Sequence, residues 1–135
     1  MSVRFSIEEG IAEVLLDHPP VNALDSAGGG KLAETIVSLG VDPEVRVIVL
    51  GAAGRGFCAG VDDTELAEDS SLITKVNKGC YDAFAAIHDC PVPVIAACHG
   101  FVLGGGIGLV GSCDLIVSSD DASFGLPEID RGDLG

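Results

Sequence analysis

The sequence predicts a single α/β domain, and three observations carry this prediction. The chain opens with a β-hairpin pattern, because the alternating apolar residues Val3, Phe5 and Ile7 lead through a Glu-Glu-Gly turn at 8–10 into an apolar run at 11–16. Segments with strand character and segments with helical periodicity then alternate along the chain. No linker or low-complexity stretch divides the 135 residues, a length of about one domain.

The first helix is predicted after the hairpin, with a cap near Asp25 or Ser26. Its apolar face would carry Leu32, Ile36, Val37 and Leu39. Three glycines occupy its first turn, at 28–30. Since a glycine inside a helix costs about 1 kcal/mol relative to alanine, we expect this end of the helix to be weak or frayed.

A buried strand is predicted next at 45–50, where a short and mostly β-branched run leads into a Gly-rich loop at 51–60. A second helix is predicted at 72–87, because apolar residues recur there at three-or-four spacing. These residues are Ile73, Val76, Cys80, Phe84 and Ile87. The remaining predicted elements are a strand at 94–98, a short helix around Leu109 and Val110, and a strand at 115–117.

Composition and charge exclude several classes of function. The net charge is -14, with 21 acidic against 7 basic residues and no Lys/Arg cluster, so we expect no nucleic-acid partner. The longest apolar stretch, at 92–111, is interrupted by His99 and by several glycines, which predicts no membrane span. The five cysteines form no C-x-x-C pair, so no metal site is expected, and we interpret them as reduced thiols of a soluble, cytoplasmic protein.

Two glycine-rich junctions between a strand and a loop carry the functional hypothesis. One lies at 57–62 and the other at 99–106. Small residues let backbone N–H groups reach a ligand, and two such groups aimed at one carbonyl oxygen form an oxyanion hole. The alternative is that the glycines only permit close packing of helices on strands. The chain has no glycine spacing typical of a P-loop, a dinucleotide-binding turn or a nucleophile elbow.

These junctions belong to a longer set of segments that resembles the crotonase superfamily, also called the enoyl-CoA hydratase/isomerase family. The similar segments are, in order, 19–24, 54–62, 93–97, 104–106, 113–114 and 124–129. Together they extend over essentially the whole chain. The resemblance implies an α/β fold of the ClpP/crotonase type, a crotonase-like spiral of β-β-α turns that binds an acyl-CoA thioester, here truncated before the C-terminal helices.

The resemblance also implies which residues form the site. The backbone N–H groups of Val61 and Gly105 would form the oxyanion hole. The part of the site that binds the substrate and its CoA would be lined by Arg55, close to a CoA phosphate, and by Ala59, Gly60, Asp62 and Gly104. Because CoA is part of the substrate, no cofactor is expected.

Glu128, in the Pro-Glu motif of the family, would be the catalytic base. Hydratases of the family use a second glutamate two residues beyond the glycine triplet, where this chain has Gly108. With one carboxylate, the resemblance favours ring-opening hydrolysis of a C–C bond or double-bond isomerisation. Hydration, as in fatty-acid β-oxidation, is the alternative. The runs at 104–111, 125–128 and 131–132 are similar to an actinobacterial subgroup linked to steroid-ring catabolism, which opens a cyclic β-diketone CoA thioester hydrolytically.

Three further polar residues are interpreted as structural. His99 occupies a position that bridges loops in the family. Asp62 and Asp114 are expected to brace loops by accepting backbone N–H hydrogen bonds.

Family members are about twice as long as this chain. We therefore expect residues 1–135 to form an incomplete crotonase-like, CoA-thioester-binding domain, the N-terminal half of the fold. The strands at 45–50 and 94–98 would then keep an uncovered flank. A homo-oligomer is expected, since full-length relatives form trimers or hexamers. The hypothesis from another class is a non-catalytic remnant that retains the glycine turns for folding alone.

Overall fold

The computed structural model describes residues 2–132 and has the predicted α/β architecture. Its strands are β1 (Ser2–Glu8), β2 (Ile11–Asp17), β3 (Val47–Ala52), β4 (Val94–Cys98), β5 (Phe101–Leu103), β6 (Leu115–Ser118) and β7 (Ser123–Gly125). Its helices are α1 (Gly28–Gly40), α2 (Asp63–Glu68), α3 (Ile73–His88), α4 (Gly105–Gly111) and α5 (Glu128–Arg131), with a 3-10 turn at Ser70–Leu72.

Two sheets organise the described part of the chain. The larger sheet has five strands in the order β1-β2-β3-β4-β6. The pair β1 and β2 is the predicted antiparallel hairpin, and β2-β3, β3-β4 and β4-β6 are all parallel. The smaller sheet is a parallel pair of β5 and β7, which lies beyond the carboxyl end of β4. This arrangement puts the glycine-rich loops after β3 and β4 at neighbouring strand ends.

The predicted strand at 45–50 is shifted by two residues. Val45 donates its backbone N–H to the Asp42 carbonyl at 3.0 Å and so belongs to a turn. At the other end, Gly51 and Ala52 continue the register with β2, opposite Leu15 and Leu16. The pairing partner, rather than the local run of β-branched residues, sets the bounds of β3.

Helix α1 begins at its glycines, so the expectation of a frayed start is wrong, whereas a weak start stays a prediction. Gly29 lies against α3 so closely that a β-carbon at position 29 would be 2.8 Å from the Cα of Gly79. The first turn is held by the Asp25 carboxylate, which accepts the Gly28 N–H at 2.6 Å. The residue at the cap position itself is Ala27, which makes no capping side-chain bond. Two glycines thus allow a close crossing of α1 and α3.

The core lies between the larger sheet and the helices α1, α3 and α4. Its fully buried large side chains are Leu16, Leu24, Leu32, Ile36, Ile48, Leu50, Phe57, Ile87 and Leu109 together with several valines. The predicted helix faces are mostly correct. Val37 and Ile73 are exceptions, because they are 57% and 45% exposed. No helix within residues 2–132 combines the length and the apolar character needed to cross a membrane.

The uncovered flank of the sheet is not where it was predicted. Strands β3 and β4 alternate between buried and half-buried residues and lie in the interior of the sheet. The exposed edge is β6, whose Leu115, Ile116 and Val117 are 60%, 53% and 62% exposed. Its apolar side chains are therefore open to solvent on both faces of the strand.

Candidate active site

The two predicted glycine-rich junctions meet in the structure. Val61 forms a parallel bridge with Leu24, in which Leu24 donates to the Gly60 carbonyl at 2.7 Å and Asp62 donates to the Leu24 carbonyl at 2.9 Å. The loop is held against the start of α4, because a β-carbon on Gly105 would be 3.7 Å from the Cγ2 atom of Val61. The backbone at 60–61 and the amino end of α4 are thus immediate neighbours.

Among the described residues, the backbone N–H groups of Val61 and Gly105 have no hydrogen-bond partner. In the bridge to Leu24, the hydrogen bonds are made by the Gly60 carbonyl and the Asp62 N–H. The N–H of Val61 itself therefore points away from Leu24. Gly105 is the first residue of α4, and the first N–H groups of a helix have no intrahelical partner. Among residues 2–132, no backbone hydrogen bond uses either donor.

Two glycine conformations make this meeting possible. Gly60 has φ +105° and Gly104 has φ +51°, values that side-chain-bearing residues rarely adopt. Space is also restricted, since a β-carbon on Gly106 would be 2.8 Å from the carbonyl oxygen of Cys58. Close packing therefore explains part of the glycine pattern. It does not account for the free N–H groups in the same region.

Glu128 is brought to this place by β7 and α5. The β5–β7 pairing and the Gly104 N–H, which donates to the Gly125 carbonyl at 3.0 Å, fix the chain just before α5. The Glu128 carboxylate then lies directly against Gly104, and its Oε2 atom is buried without a hydrogen-bond partner among the described residues. A buried carboxylate oxygen without a partner is costly and is a group that a ligand or water could engage.

The apolar residues next to Glu128 in the sequence do not bury its carboxylate. Leu126 and Ile129 point to solvent, with 45% and 72% of their surface exposed. The carboxylate is buried instead by the glycine turn at 104, which sequence proximity does not reveal.

Gly108, the position at which hydratases of the resembled family carry their other glutamate, lies under an aromatic ring. A β-carbon there would overlap the Phe84 ring, with the Cε2 atom at 2.8 Å. Phe84 is half-buried and packs against the core from α3. The ring therefore occupies the space that any side chain at position 108 would enter.

The residues expected to contact CoA lie around the outer end of the same loop. Arg55 is exposed at the tip, and its side chain makes no ion pair or hydrogen bond within residues 2–132. Ala59 is half-buried and donates its N–H to the Val21 carbonyl at 3.0 Å. Asp62 caps α2 by accepting the N–H groups of Thr64 and Glu65, and this bonding, led by that of the Thr64 hydroxyl, lowers the pKa of its carboxyl.

The predicted structural roles of His99 and Asp114 are confirmed. The His99 Nε2 atom is 2.9 Å from the Gly54 carbonyl oxygen, which ties the two glycine-rich loops together. The Asp114 carboxylate accepts the Val94 N–H at 2.8 Å, at the start of β4.

The sequence analysis did not single out Asn22, whose side chain holds the loop at 51–60 in place. Asn22 is buried, with φ +54°, and its side-chain amide donates to the carbonyls of Ala53 and Gly56 at 2.7 and 3.0 Å. Its Oδ1 atom accepts the His18 N–H at 2.7 Å. The signal available in the sequence was an Asn directly after Pro-Pro-Val, since Asn tolerates the left-handed conformation that turns need.

Two polar links, also not predicted, connect α2 with its surroundings. Glu65 accepts the backbone N–H of Ser26 at 2.7 Å as well as its hydroxyl. Asp63 pairs with Arg131 of α5 at 2.5 Å, and both side chains are exposed. The helix that follows Val61 is thereby linked to the helix that carries Glu128.

The cysteines are all free thiols, as interpreted. Cys58 lies in the loop beside the site, and burial raises the pKa of its thiol to about 11. Burial likewise raises the pKa of Cys113 to about 12. In the described part of the chain, no group of three or more His, Cys, Asp or Glu residues is arranged to hold a metal ion.

Comparison with known proteins places this geometry in context. Residues 6–134 match the family model described as enoyl-CoA hydratase/isomerase. A (7aS)-7a-methyl-1,5-dioxo-2,3,5,6,7,7a-hexahydro-1H-indene-carboxyl-CoA hydrolase from Rhodococcus jostii is 52% identical over 129 residues, covering 94% of this chain and 50% of the relative. The protein of the same description from Mycobacterium tuberculosis is 50% identical, covering 95% and 53%. The chain thus spans about half the length of the curated relatives it matches.

Solved structures give the same result for the fold. An enoyl-CoA hydratase from Mycobacterium smegmatis superposes with a TM-score of 0.89 at 36% identity, over 96% of this chain and 52% of that one. An enoyl-CoA hydratase/carnithine racemase from Magnetospirillum magneticum superposes with a TM-score of 0.91 at 29% identity, over 98% and 52%. The predicted crotonase-like fold is confirmed, with the chain matching about half of each structure.

Proposed function

This chain belongs to the enoyl-CoA hydratase/isomerase family, the crotonases, and from that premise we propose that it binds an acyl-CoA thioester at the junction of Val61, Gly105 and Glu128. The observation that carries the proposal is the proximity of Val61 and Gly105, whose backbone N–H groups have no partner among residues 2–132, near a carboxylate with a buried, unpartnered oxygen. Family membership supports an acyl-CoA as the substrate class. The free N–H groups support a bound carbonyl oxygen as their acceptor.

In the proposed binding mode, the thioester oxygen accepts hydrogen bonds from the N–H groups of Val61 and Gly105. These donors are fixed by the bridge to Leu24 and by α4, so they require no rearrangement when negative charge develops on that oxygen. Arg55 is exposed at the tip of the same loop, and the CoA moiety would extend from this point toward it. An exposed arginine without an ion pair suits a phosphate group.

The proposed reaction is ring-opening hydrolysis of a cyclic β-diketone attached to CoA. Glu128 takes a proton from water, and the water oxygen adds to the ring ketone. The bond between that carbon and the α-carbon of the thioester breaks, and its electron pair becomes the enolate of the thioester, held by Val61 and Gly105. Glu128 then returns the proton to the α-carbon, so that one water is consumed and a carboxylic acid is formed. The names of the two hydrolase relatives, which describe a dioxo ring system joined to CoA, support this substrate class.

Double-bond isomerisation is the second candidate, because it also requires one base that moves one proton. Hydration ranks third. It needs a group to activate water and another to manage the α-proton, whereas position 108 carries no side chain and is covered by Phe84. A non-catalytic chain that keeps the turns for folding is the rival from another class. A chain of that kind would need neither the free N–H groups nor the buried carboxylate oxygen.

The proposal also covers the remaining half of the fold, the oligomeric state, the location and the partners. Activity would require the elements that the relatives carry in their other half, either in the same protein or in a partner chain. We propose a homo-oligomer in the cytoplasm, with no nucleic-acid or membrane partner and no cofactor beyond the CoA of the substrate.

The test supplies the chain with the elements that its relatives carry in their other half, in the same protein or as a partner chain. This protein is incubated with three CoA thioesters, a cyclic β-diketone, a 3-enoyl and crotonyl-CoA, followed by mass spectrometry and chromatography of the products. The proposal expects a gain of one water by the cyclic substrate and its loss in Glu128→Gln, with acyl-CoA binding retained within a few-fold. Turnover that is undiminished in Glu128→Gln would remove this residue from the mechanism. Efficient hydration of crotonyl-CoA would instead favour the hydratase alternative.

A further inference from the structure

The aromatic ring of Phe84 and the carboxylate of Glu128 both cover bare glycine backbone of the turn that begins α4. Gly104, just before α4, faces the carboxylate, and Gly108 faces the ring. Gly108 follows Gly105 by three residues in α4, a rise of roughly 4.5 Å along the helix. The ring therefore covers α4 less than one turn after Gly105, whose N–H is free, and Gly105 in turn directly follows the glycine that faces the carboxylate.

The ring has two consequences for the space beside Glu128. It leaves no room for a side chain at position 108, because a β-carbon there would be 2.8 Å from Cε2 and closer still to the ring tip. It also presents an aromatic surface where a polar side chain could otherwise stand. Phe84 is half-buried, so the core does not enclose this residue completely.

We propose that Phe84 is a specificity-determining residue that forms an apolar wall beside Glu128 and selects acyl groups with a bulky, cyclic apolar body. This inference rests on the proposed function, because it assumes that the acyl group extends from Val61 and Gly105 along α4. An aromatic face gains most from a large apolar group packed against it. A short linear acyl chain reaches less of the ring and gains less from it.

The inference is tested by binding and by unfolding of the whole chain. The binding probes are cyclohexanecarboxyl-CoA and crotonyl-CoA, titrated into the wild type, Phe84→Ala and Phe84→Leu, with free CoA as the reference. We expect the wild type to prefer the cyclic thioester. In Phe84→Ala this preference should fall by about tenfold, a size typical of lost apolar contact in a pocket, and Phe84→Leu should retain most of it.

Unfolding experiments test the packing on which the inference depends. Gly108→Ala should lower the denaturation midpoint, whereas Gly111→Ala, in the same helix with nothing within 4 Å of its added β-carbon, should not. In the double variant Phe84→Ala/Gly108→Ala, the loss should be smaller than the sum of the two single losses, as expected for residues in contact.

The two ways in which the proposals can fail are distinguishable. Binding of both thioesters with an unchanged preference in Phe84→Ala would refute the role of Phe84 and leave the proposed function standing. Additive losses in the unfolding experiment would also refute it. If neither thioester bound more tightly than free CoA, the proposed function and the role of Phe84 would both be wrong.

Discussion

A carboxylate oxygen of Glu128 lies directly over the Cα of Gly104, in the space that a β-carbon at position 104 would need. This contact joins the turn before α4 to the start of α5. Position 104 favours glycine for two reasons: the contact leaves no room for a β-carbon, and the backbone has a φ of +51°.

Gly104→Ala is therefore expected to destabilise the protein by roughly 1–3 kcal/mol, the cost of a strained backbone position. It should also displace the Glu128 carboxylate and weaken acyl-CoA binding. Equilibrium denaturation and calorimetric titration measure the two effects. Gly111→Ala, in open space on α4, is the control. A Gly104→Ala variant with wild-type stability would show that Glu128 does not lie against this turn.

The crossing of α1 and α3 provides a matched pair of glycines. Gly29→Ala should cost roughly 1–3 kcal/mol of unfolding free energy, because the added methyl group overlaps the backbone of Gly79. Gly30→Ala, one residue further, has nothing within 4 Å of the new β-carbon and should be neutral or stabilising by up to about 1 kcal/mol. Urea denaturation of both variants tests this difference. Equal losses would contradict the close crossing.

The buried thiol of Cys58 predicts a loss of stability in alkali. Burial raises its pKa from the ordinary 9.0 to about 11 in the folded state. The unfolded chain then releases this proton first as the pH rises. The contribution of Cys58 to stability is therefore fully present below pH 9 and is lost between about pH 9 and 11, with a slope of about 1.4 kcal/mol per pH unit.

Denaturation of the wild type and Cys58→Ala at several pH values from 7 to 11 measures this effect. The variant should show a shallower alkaline slope, with the remainder due to Cys80, Cys98 and Cys113, whose pKa values are also raised by burial. Cys90→Ala, at a half-buried position, is the background control. A slope that is the same in the wild type and Cys58→Ala would mean that Cys58 is open to solvent.

Much of the fold could be predicted from the sequence, because the hairpin, α3 and β4 have strong local periodicity. The strands β5 and β7 could not, since each has three residues and depends on the other for its hydrogen bonds. The contacts of Glu128 with Gly104 and of Phe84 with Gly108 also escape sequence reasoning, because they join residues 24 positions apart through the packing of separate elements. The glycines of α1 were misjudged for the same reason. Helix propensity is a local property and takes no account of the packing of α3 against Gly29.

The exposed edge strand β6 predicts self-association. Leu115, Ile116 and Val117 are more than half exposed on a strand whose outer hydrogen-bonding groups face solvent. Such an edge pairs readily with another chain. Light scattering after size exclusion should show oligomers for the wild type and a shift toward monomer for Val117→Lys. Val41→Lys, at an exposed position following α1, should leave the distribution unchanged. A monodisperse wild-type monomer would contradict this prediction.

The central claim is that the free N–H groups of Val61 and Gly105 bind the oxygen of a CoA thioester. It is tested most directly by titrating the chain with an acyl-CoA and with the matching S-alkyl-CoA thioether, which lacks only that carbonyl oxygen. With two hydrogen bonds at stake, the thioester should bind roughly tenfold more tightly or better. Equal affinity for the two ligands, or no binding of either, would contradict the claim.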